Sequence, residues 1–364
     1  EDFTAGERLM ALNSPFMNFT IYVLFVFILY FGSYLIVSSQ GTAFGVGQLS
    51  SLITYGFMML MALMMLSFVF AMIIIAEEGA RRICEVLLAT STINNPENPL
   101  TEVTDGSIDF ENVGFSYSGP EGREALSGVD LHINSGEVIG IIGGTGSAKS
   151  TLVQLIPRLY DVTAGSVSVG GHNVRDYDID TLRGAVAMVL QKNVLFSGTI
   201  KENLLWGNPD ATDEEILEAA RLAQADSFVR TFPDKYETHI EQGGSNVSGG
   251  QKQRLCIARA LLRRPKVLIL DDSTSAVDTK TDSLIRSGLK DFLPDTTKII
   301  IAQRTSSIEE SDKIIVLDNG RVNAIGTHEE LLKDNPIYRE VYFSQNKQSV
   351  DENQSQEGEV TSHE

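Results

Sequence analysis

A glycine-rich segment at residues 143–150, Gly-Gly-Thr-Gly-Ser-Ala-Lys-Ser, has the composition and spacing of a phosphate-binding loop. It follows an apolar, strand-like run at 138–142 and precedes a helix-like run at 150–159. In that order, backbone N–H groups and the positive end of a helix point at phosphate oxygens. Lys149 would reach the β- and γ-phosphates of a nucleotide, and the Ser150 hydroxyl would hold Mg²⁺. An ordinary glycine turn is the alternative, and the strand–loop–helix context argues against it.

This segment, the phosphate loop, departs from the usual pattern at one position. The pattern has glycine immediately before the lysine, and Ala148 stands there instead. A methyl group at this point would narrow the approach of backbone to phosphate or require a φ below zero. We still expect nucleotide to bind. The binding residues predicted here are Gly143, Gly144, Thr145, Gly146, Ser147, Ala148, Lys149, Ser150 and Thr151.

A second segment, Val-Ser-Gly-Gly-Gln at 247–251, opens a helix-like run that extends to about residue 262. Ser248 and Gln251 have the spacing of a capping box, so part of the segment could simply begin a helix. The two glycines between them indicate more, because they let backbone N–H groups approach an anion at the helix start.

Together, the phosphate loop, the 247–251 segment and an acidic strand end near residue 271 resemble the ATP-binding-cassette (ABC) ATPases. The resemblance extends over nearly the whole chain and is to one half of a multidrug-type ABC exporter. It implies that the 247–251 segment is the ABC signature. In that role, four residues would contact the γ-phosphate of ATP held on an opposing cassette: Ser248, Gly249, Gly250 and Gln251.

The same resemblance assigns the remaining site residues. Tyr117 would stack on adenine, although a surface tyrosine is the alternative. Gln191 would touch Mg²⁺ and relay to the membrane helices, and Asp271 would hold Mg²⁺ through water together with Ser150. Asp278, in Ser-Ala-Val-Asp at 275–278, would belong to the loop that crosses to the other cassette.

Two residues depart from the family at the positions expected to catalyse hydrolysis. Asp272 stands where active ABC sites have Glu, and Gln303 stands where they have His. Aspartate is one methylene shorter, which withdraws its carboxylate by about 1.5 Å, and a displacement of about 1 Å can slow a reaction roughly 10²-fold. Glutamine can donate a hydrogen bond but cannot become an imidazolium. We therefore predict slow or absent hydrolysis on this phosphate loop; tolerated substitutions in an active enzyme are the alternative.

An intact signature beside a weakened acid–base pair resembles one subunit of the heterodimeric bacterial exporters. The resemblance implies that an unlike second half supplies the competent site, which this chain's signature completes. Two other functions stay open. One is a regulatory ATP-binding module that moves no cargo, and the other is a homodimeric exporter with weak symmetric sites.

No Asp, Glu, Lys or Arg occurs from Leu9 to Ala76. A membrane-spanning helix needs about 20 apolar residues, so this run predicts two spans, at about 16–37 and 52–75. Arg8, Arg81 and Arg82 flank the run, and an excess of positive charge marks the cytoplasmic side. We expect a multi-pass protein of the plasma (inner) membrane with its ATPase domain in the cytoplasm. A soluble helical hairpin or a signal peptide is the alternative.

Strand-like and helix-like runs alternate from about residue 108, which indicates a parallel α/β sheet. The predicted fold is a transmembrane helical hairpin followed by an α/β P-loop ABC ATPase domain with a helical subdomain. Exporter halves of this kind have six spans, so we expect this chain to be a C-terminal fragment that lacks four of them. The expected divisions are a partial membrane domain (1–92), a linker (93–106), the nucleotide-binding domain (107–344) and a disordered acidic tail (345–364).

The net charge of −19 argues against a nucleic-acid partner, because protein surfaces that bind nucleic acids are basic. Cys84 and Cys256 lack metal-site spacing, and neither is assigned a role. Methionine is frequent in the second span, and its flexible side chain suits varied apolar ligands or packing against lipid. Membrane lipid and small amphipathic molecules are the partners expected beyond ATP, Mg²⁺ and a second exporter half.

Overall fold

The computed structural model describes residues 2–40, 42–272 and 277–345. Tertiary contacts divide the chain into two units, Glu1–Ser91 and Thr92–Glu364. The first unit has two helices, α1 (Asp2–Ser38) and α2 (Val46–Leu87).

The two helices of the first unit pack against each other through aromatic and small residues. The rings of Phe25 and Phe57 lie 4.4 Å apart between centroids. A side chain at Gly32 would overlap Leu49, so glycine is needed for this close approach. By length and composition alone, Pro15–Ser38 and Val46–Leu87 could each cross a membrane. Most of their apolar side chains are exposed, as lipid contact would require.

The second helix begins before the span that the sequence predicts. That span starts at about residue 52, whereas α2 begins at Val46. The Gln48 side chain accepts a hydrogen bond from the Gly45 N–H at 2.9 Å, which satisfies a donor at the helix start. At its other end α2 continues past the apolar run to Leu87, as the charged helical pattern predicted.

The second unit contains twelve strands and eight named helices within the part of the chain that the structure describes. The strands are β1 (Ile108–Phe115), β2 (Leu126–Ile133), β3 (Val138–Ile142), β4 (Ala164–Val169), β5 (His172–Asn173), β6 (Val186–Val189), β7 (Gly198–Thr199), β8 (His239–Ile240), β9 (Val267–Asp271), β10 (Thr297–Ile301), β11 (Lys313–Asp318) and β12 (Arg321–Gly326). The helices are α3 (Lys149–Gln154), α4 (Ile179–Ala185), α5 (Ile200–Leu205), α6 (Asp213–Leu222), α7 (Asp226–Val229), α8 (Gly249–Leu261), α9 (Thr279–Phe292) and α10 (His328–Asp334).

Six strands form the central sheet in the order β12-β11-β3-β10-β9-β6. All neighbours are parallel except β12, which runs antiparallel to β11. Strands β2, β1, β4 and β5 form a separate antiparallel sheet, and β7 pairs with β8. The predicted parallel α/β arrangement is confirmed.

Both faces of the central sheet are covered, which is why its strands are nearly continuous runs of apolar residues. In β9, Leu268 and Leu270 face a core shared with α5, α6 and α8, which form the predicted helical subdomain. Val267 and Ile269 belong to the opposite core, shared with α3 and the antiparallel sheet. Every residue of β9 and β10 is buried.

Four adjacent parallel strands therefore end at the same edge of this sheet. Ile301 of β10 lies opposite Ile141 of β3 on one side and Asp271 of β9 on the other. Val189 of β6 is paired with Leu270 of β9. The segments that follow these strand ends contain the phosphate loop, Gln303, Asp272 and Gln191, and the strand order places them side by side.

The ends of the second unit differ from a simple linker and tail. Leu100 donates its N–H to Asp176 and accepts one from Asp178, at 2.8 and 2.9 Å, so part of segment 93–106 lies along the domain. Residues 336–345 are helical, and Gln345 is the last residue that the structure describes. The remaining residues of the expected tail, 346–364, lie outside the described residues.

Candidate nucleotide-binding site

The phosphate loop leaves β3 and enters α3, and two of its glycines are required by the backbone path. A Cβ on Gly143 would meet the Leu317 carbonyl and lie 2.7 Å from the Ser147 hydroxyl oxygen. Gly146 has a φ of 82°, which favours glycine. Gly144 faces open space, with nothing within 4 Å of an added Cβ. The loop backbone is thus tightly packed at its root and accessible at its tip.

Ala148 distinguishes the two alternatives that the sequence left open for its methyl group. Its φ is 71° and its ψ 26°, so it keeps the left-handed conformation that glycine would have, and the alternative of a φ below zero is excluded. Its carbonyl accepts the Leu152 N–H at 3.0 Å and so starts α3. The methyl group packs partly against the apolar core beneath α3. A left-handed alanine costs about 1–2 kcal/mol, which these contacts offset.

The Lys149 ammonium is held over its own loop. Its Nζ donates to the carbonyl oxygens of Gly143 and Gly144, at 2.8 and 2.9 Å. Burial lowers the pKa of Lys149, and the charges of Asp271 and Asp272 oppose that shift. A cation held by carbonyl oxygens beside exposed backbone is well placed to meet an incoming phosphate.

Ser150 and Asp271 form a pair of oxygen ligands below the loop. The Ser150 side chain hydrogen-bonds the Asp271 carboxylate, which is only 6% exposed. Burial raises the pKa of Asp271, while this hydrogen bond and the Lys149 charge lower it. Hydroxyl and carboxylate oxygens are the ligands that Mg²⁺ prefers. The single charge of Lys149 acts on both Asp271 and Asp272, so it balances at most one of these two carboxylates. The residues present therefore fit a magnesium ion.

Asp272 is held by two glutamine side chains. The same carboxylate oxygen, Oδ2, accepts a hydrogen bond from Gln191 Nε2 at 2.9 Å and from Gln303 Nε2 at 2.6 Å. Burial raises the pKa of Asp272, as does the neighbouring Asp271 charge, whereas both amides and Lys149 lower it. The structure thus brings together the three residues that the sequence proposed for catalysis, in direct contact.

Tyr117 lies beside the phosphate loop with its ring 56% exposed. Its hydroxyl and the Thr151 hydroxyl are 3.0 Å apart. Phe115 and Tyr160 meet its ring edge-on, with centroids 4.8 and 5.2 Å away. An exposed, fixed aromatic face suits stacking on a base. Sequence reasoning missed Tyr160, because only the fold places it against Tyr117.

The signature segment forms the N-terminus of α8. Ser248 and Gln251 cap each other: the Gln251 Oε1 accepts the Ser248 N–H at 3.0 Å, and the Ser248 hydroxyl accepts the Gln251 N–H at 3.3 Å. Arg254 anchors the same helix, donating to the carbonyl oxygens of Gly250 and Gln224 at 3.2 and 2.9 Å. The capped start of α8 lies at an exposed surface of the domain, and Gly249 is in its first turn.

Asp278 caps α9, where its Oδ1 accepts the Thr281 N–H at 2.9 Å. This hydrogen bond lowers the pKa of Asp278. Ser275 and Ala276, which precede it in the predicted cross-cassette loop, lie outside the described residues.

A groove of about 280 Å³ adjoins the Gln191 loop and is lined in part by Leu190 and Lys192. Phe196 and Trp206 are stacked across it with centroids 4.7 Å apart, and Trp206 is 66% exposed. Large exposed aromatics of this kind mark contact surfaces rather than solvated ones. No sequence motif indicated this groove.

Comparison with known proteins identifies the relatives of this chain. Residues 126–275 match the family model described as ABC transporter. The chain is 42% identical over 340 residues to an uncharacterized ABC transporter ATP-binding protein of Mycobacterium tuberculosis, covering 92% of this chain and 57% of that protein. It is 44% identical over 245 residues to a Staphylococcus aureus protein that carries the name of a multidrug export ATP-binding/permease protein, covering 67% and 42%.

A solved structure of a bacterial Atm1-family ABC exporter with ATP bound aligns with a TM-score of 0.71 and 32% identity. The alignment covers 90% of this chain and 57% of the exporter chain. The chain thus aligns with 42–57% of the length of these relatives. The second unit of this chain is an ABC transporter ATP-binding domain.

Proposed function

We propose that this chain is a subunit of an ATP-driven ABC exporter whose own phosphate loop holds ATP but hydrolyses it slowly. In this proposal its signature segment completes a competent site on an unlike second half. The observation that carries it is the position of Asp272, whose carboxylate oxygen is occupied by the amides of Gln191 and Gln303.

ATP binding rests on groups that face one another at the sheet edge. Backbone N–H groups of the phosphate loop and the Lys149 ammonium would hold the phosphates, and Tyr117 would stack on adenine. Ser150, Asp271 and Gln191 would hold Mg²⁺, which neutralises charge on the phosphate oxygens when bound.

Slow hydrolysis follows from what Asp272 can and cannot do. A general base must accept a proton from the attacking water at hydrogen-bond distance. The Asp272 carboxylate is short and buried, and Oδ2 already accepts two N–H donors. Gln303 can donate to this carboxylate but cannot carry the positive charge that would stabilise a developing phosphate transition state. The Asp272 carboxylate is therefore a weakened base, and Gln303 supplies no positive charge to stabilise the transition state.

The signature segment supports a role in a second site. The start of α8 offers backbone N–H groups and the positive end of a thirteen-residue helix, both suited to a γ-phosphate. Because Ser248 and Gln251 fix this helix start by capping, it is ordered before any partner binds. A partner half would then supply its own phosphate loop, glutamate and histidine.

Export of amphipathic small molecules is the activity we propose for the complete assembly. From Phe16 onward, both helices of the first unit expose apolar side chains, and the Staphylococcus aureus relative carries a name for multidrug export. The protein would lie in the plasma (inner) membrane with its ATPase domain in the cytoplasm. The groove beside Gln191 is the surface that we propose couples the nucleotide site to transport.

The partner is tested by purification of the full-length protein from its native membrane, followed by mass spectrometry of what stays bound. We expect a second ABC half that has Glu and His at the positions of Asp272 and Gln303. Recovery of this protein with copies of itself alone would favour a homodimer with weak symmetric sites. ATP-driven accumulation of cargo in vesicles separates an exporter from a regulatory module, which would accumulate none.

Truncation of Trp206 is expected to uncouple ATP binding from transport. An exposed aromatic that anchors a contact is worth about 2 kcal/mol or more, so Trp206→Ala should reduce ATP-driven ethidium uptake into inverted vesicles roughly tenfold or more. The Kd for ATP should stay within about twofold, because Trp206 makes no contact with the phosphate loop among the described residues. Phe292→Ala removes another exposed aromatic, from α9, and is the matched control. Equal loss of uptake in both variants would count against the groove as the coupling surface.

A further inference from the structure

Gln345 is the last described residue of the helical stretch 336–345. Its side-chain amide contacts the backbone of Gln303 and the backbone of Thr305. Its Nε2 donates to the Gln303 carbonyl oxygen at 2.7 Å. Its Oε1 accepts the Thr305 N–H at 2.9 Å and the Thr305 hydroxyl at 3.1 Å. One side-chain amide therefore satisfies an acceptor and two donors of the same turn.

The turn at residues 303–307, here named the switch turn, is also held from its other end. Arg286 of α9 donates to the Ser307 carbonyl oxygen at 3.1 Å, and the Ser307 hydroxyl donates to Asp282 at 3.2 Å. These contacts hold residues 306–307 and do not involve the backbone of Gln303. Of the side chains that contact the switch turn in the described structure, Gln345 is the one that reaches the Gln303 backbone.

The stretch that carries Gln345 is itself firmly anchored. Tyr338 is fully buried, and its hydroxyl lies 2.7 Å from His328 Nδ1. The Asn335 side chain accepts the Tyr338 N–H at 2.9 Å and donates to Asn323 Oδ1 at 2.7 Å. Tyr338 lies seven residues before Gln345 and Asn335 lies ten before it. Their contacts fix the direction in which the helical stretch leaves β12 and α10.

The contacts form a continuous chain to the nucleotide site. Gln345 holds the Gln303 backbone, and the Gln303 amide in turn donates to Asp272 at 2.6 Å. Thr305 is only 3% exposed, so loss of Gln345 would leave its N–H without a partner in a place that water reaches poorly. The switch turn would then relax, and the distance between Gln303 and Asp272 would no longer be fixed.

We propose that Gln345 is a positioning residue of the nucleotide site, which sets the switch turn so that Gln303 reaches Asp272. The helical stretch 336–345 thereby becomes part of the ATP site rather than an appendage of the domain. This inference rests on the proposed function only in requiring that ATP stays trapped on this chain's own phosphate loop.

The test uses the full-length protein with its partner and two readouts. The first is backbone hydrogen exchange of residues 302–307, and the second is the release rate of labelled ATP trapped on this chain. One hydrogen bond is worth about 1 kcal/mol, so Gln345→Ala should speed ATP release about fivefold. Exchange in the switch turn should rise by a similar factor. Ser344→Ala, the exposed neighbour, is the matched control and should change neither.

A double-mutant cycle separates positioning from a general loss of stability. In a Gln303→Ala background, Gln345→Ala should speed ATP release no further, because the side chain it positions is gone. Gln345→Glu keeps the acceptor for Thr305 but loses the donor to Gln303, and should give an intermediate release rate. Equal effects of Gln345→Ala in both backgrounds would overturn the inference.

Unchanged hydrogen exchange in the switch turn would also overturn it, whether or not ATP is trapped. Absence of any trapped ATP in the unaltered protein would instead contradict the proposed function. The two failures are therefore distinguishable.

Discussion

Asp272→Glu combined with Gln303→His is expected to raise ATP turnover on this chain's own phosphate loop by roughly 10²-fold or more. The longer acid would extend beyond the position where Gln191 and Gln303 now hold the Asp272 carboxylate. An imidazole at 303 could carry a positive charge beside the γ-phosphate. The measurement is single-site turnover in the complex, with hydrolysis at the partner's phosphate loop disabled.

The two single variants are the controls for this prediction. Substitutions at residues that act together on the same reaction step do not have additive effects on the rate. Each single variant should therefore restore much less turnover than the double variant. Asp272→Asn should change the already slow turnover little, because it removes a base that we propose to be ineffective. A large loss of turnover with Asp272→Asn would mean that Asp272 is an active base and that the site is competent as it stands.

Gly249→Asp is expected to lower the rate of ATP hydrolysis by the complex roughly 10²-fold or more. This loss is expected although the substitution lies outside this chain's own phosphate loop. The new carboxylate would stand at the start of α8, where the proposal places the γ-phosphate of the partner's ATP. An acidic side chain in a first helical turn favours the helix by about 0.3–1 kcal/mol, so the variant should fold. The loss of turnover would then reflect repulsion of phosphate rather than unfolding.

Gly249→Ala is the matched control for this variant. It adds a methyl group at the same position without charge and should retain most of the turnover. ATP bound to this chain's own phosphate loop should be unaffected in both variants, as measured by nucleotide trapping. A Gly249→Asp complex that still hydrolysed ATP at the original rate would show that the signature segment does not complete an active site.

The sequence alone determined the features that depend on local order. The phosphate loop could be identified because a strand, a glycine-rich turn and a helix follow one another directly, and the uncharged run from Leu9 to Ala76 specifies two long apolar helices. The strand-like run predicted at 138–142 is β3 of the central sheet. Hydrophobic patterning is a local property, so it needs no knowledge of which strands are neighbours.

Only the tertiary structure decided which side chains meet. Gln191 is 81 positions from Asp272, and Gln303 is 31 positions from it, yet both donate to one carboxylate oxygen. That contact follows from the strand order β3-β10-β9-β6, which no local pattern encodes. The sequence could name Asp272 and Gln303 as departures from a family, but not their hydrogen bond.

The backbone of Ala148 and the contact of Gln345 are further cases. Alanine prefers a negative φ, yet Ala148 has a φ of 71° where it packs beside the core below α3. Gln345 fell in a segment that its polar composition marked as disordered, yet it bonds to the switch turn. Composition reports whether a segment can bury apolar surface by itself, whereas a single polar side chain is ordered by the specific partners that the folded domain presents to it.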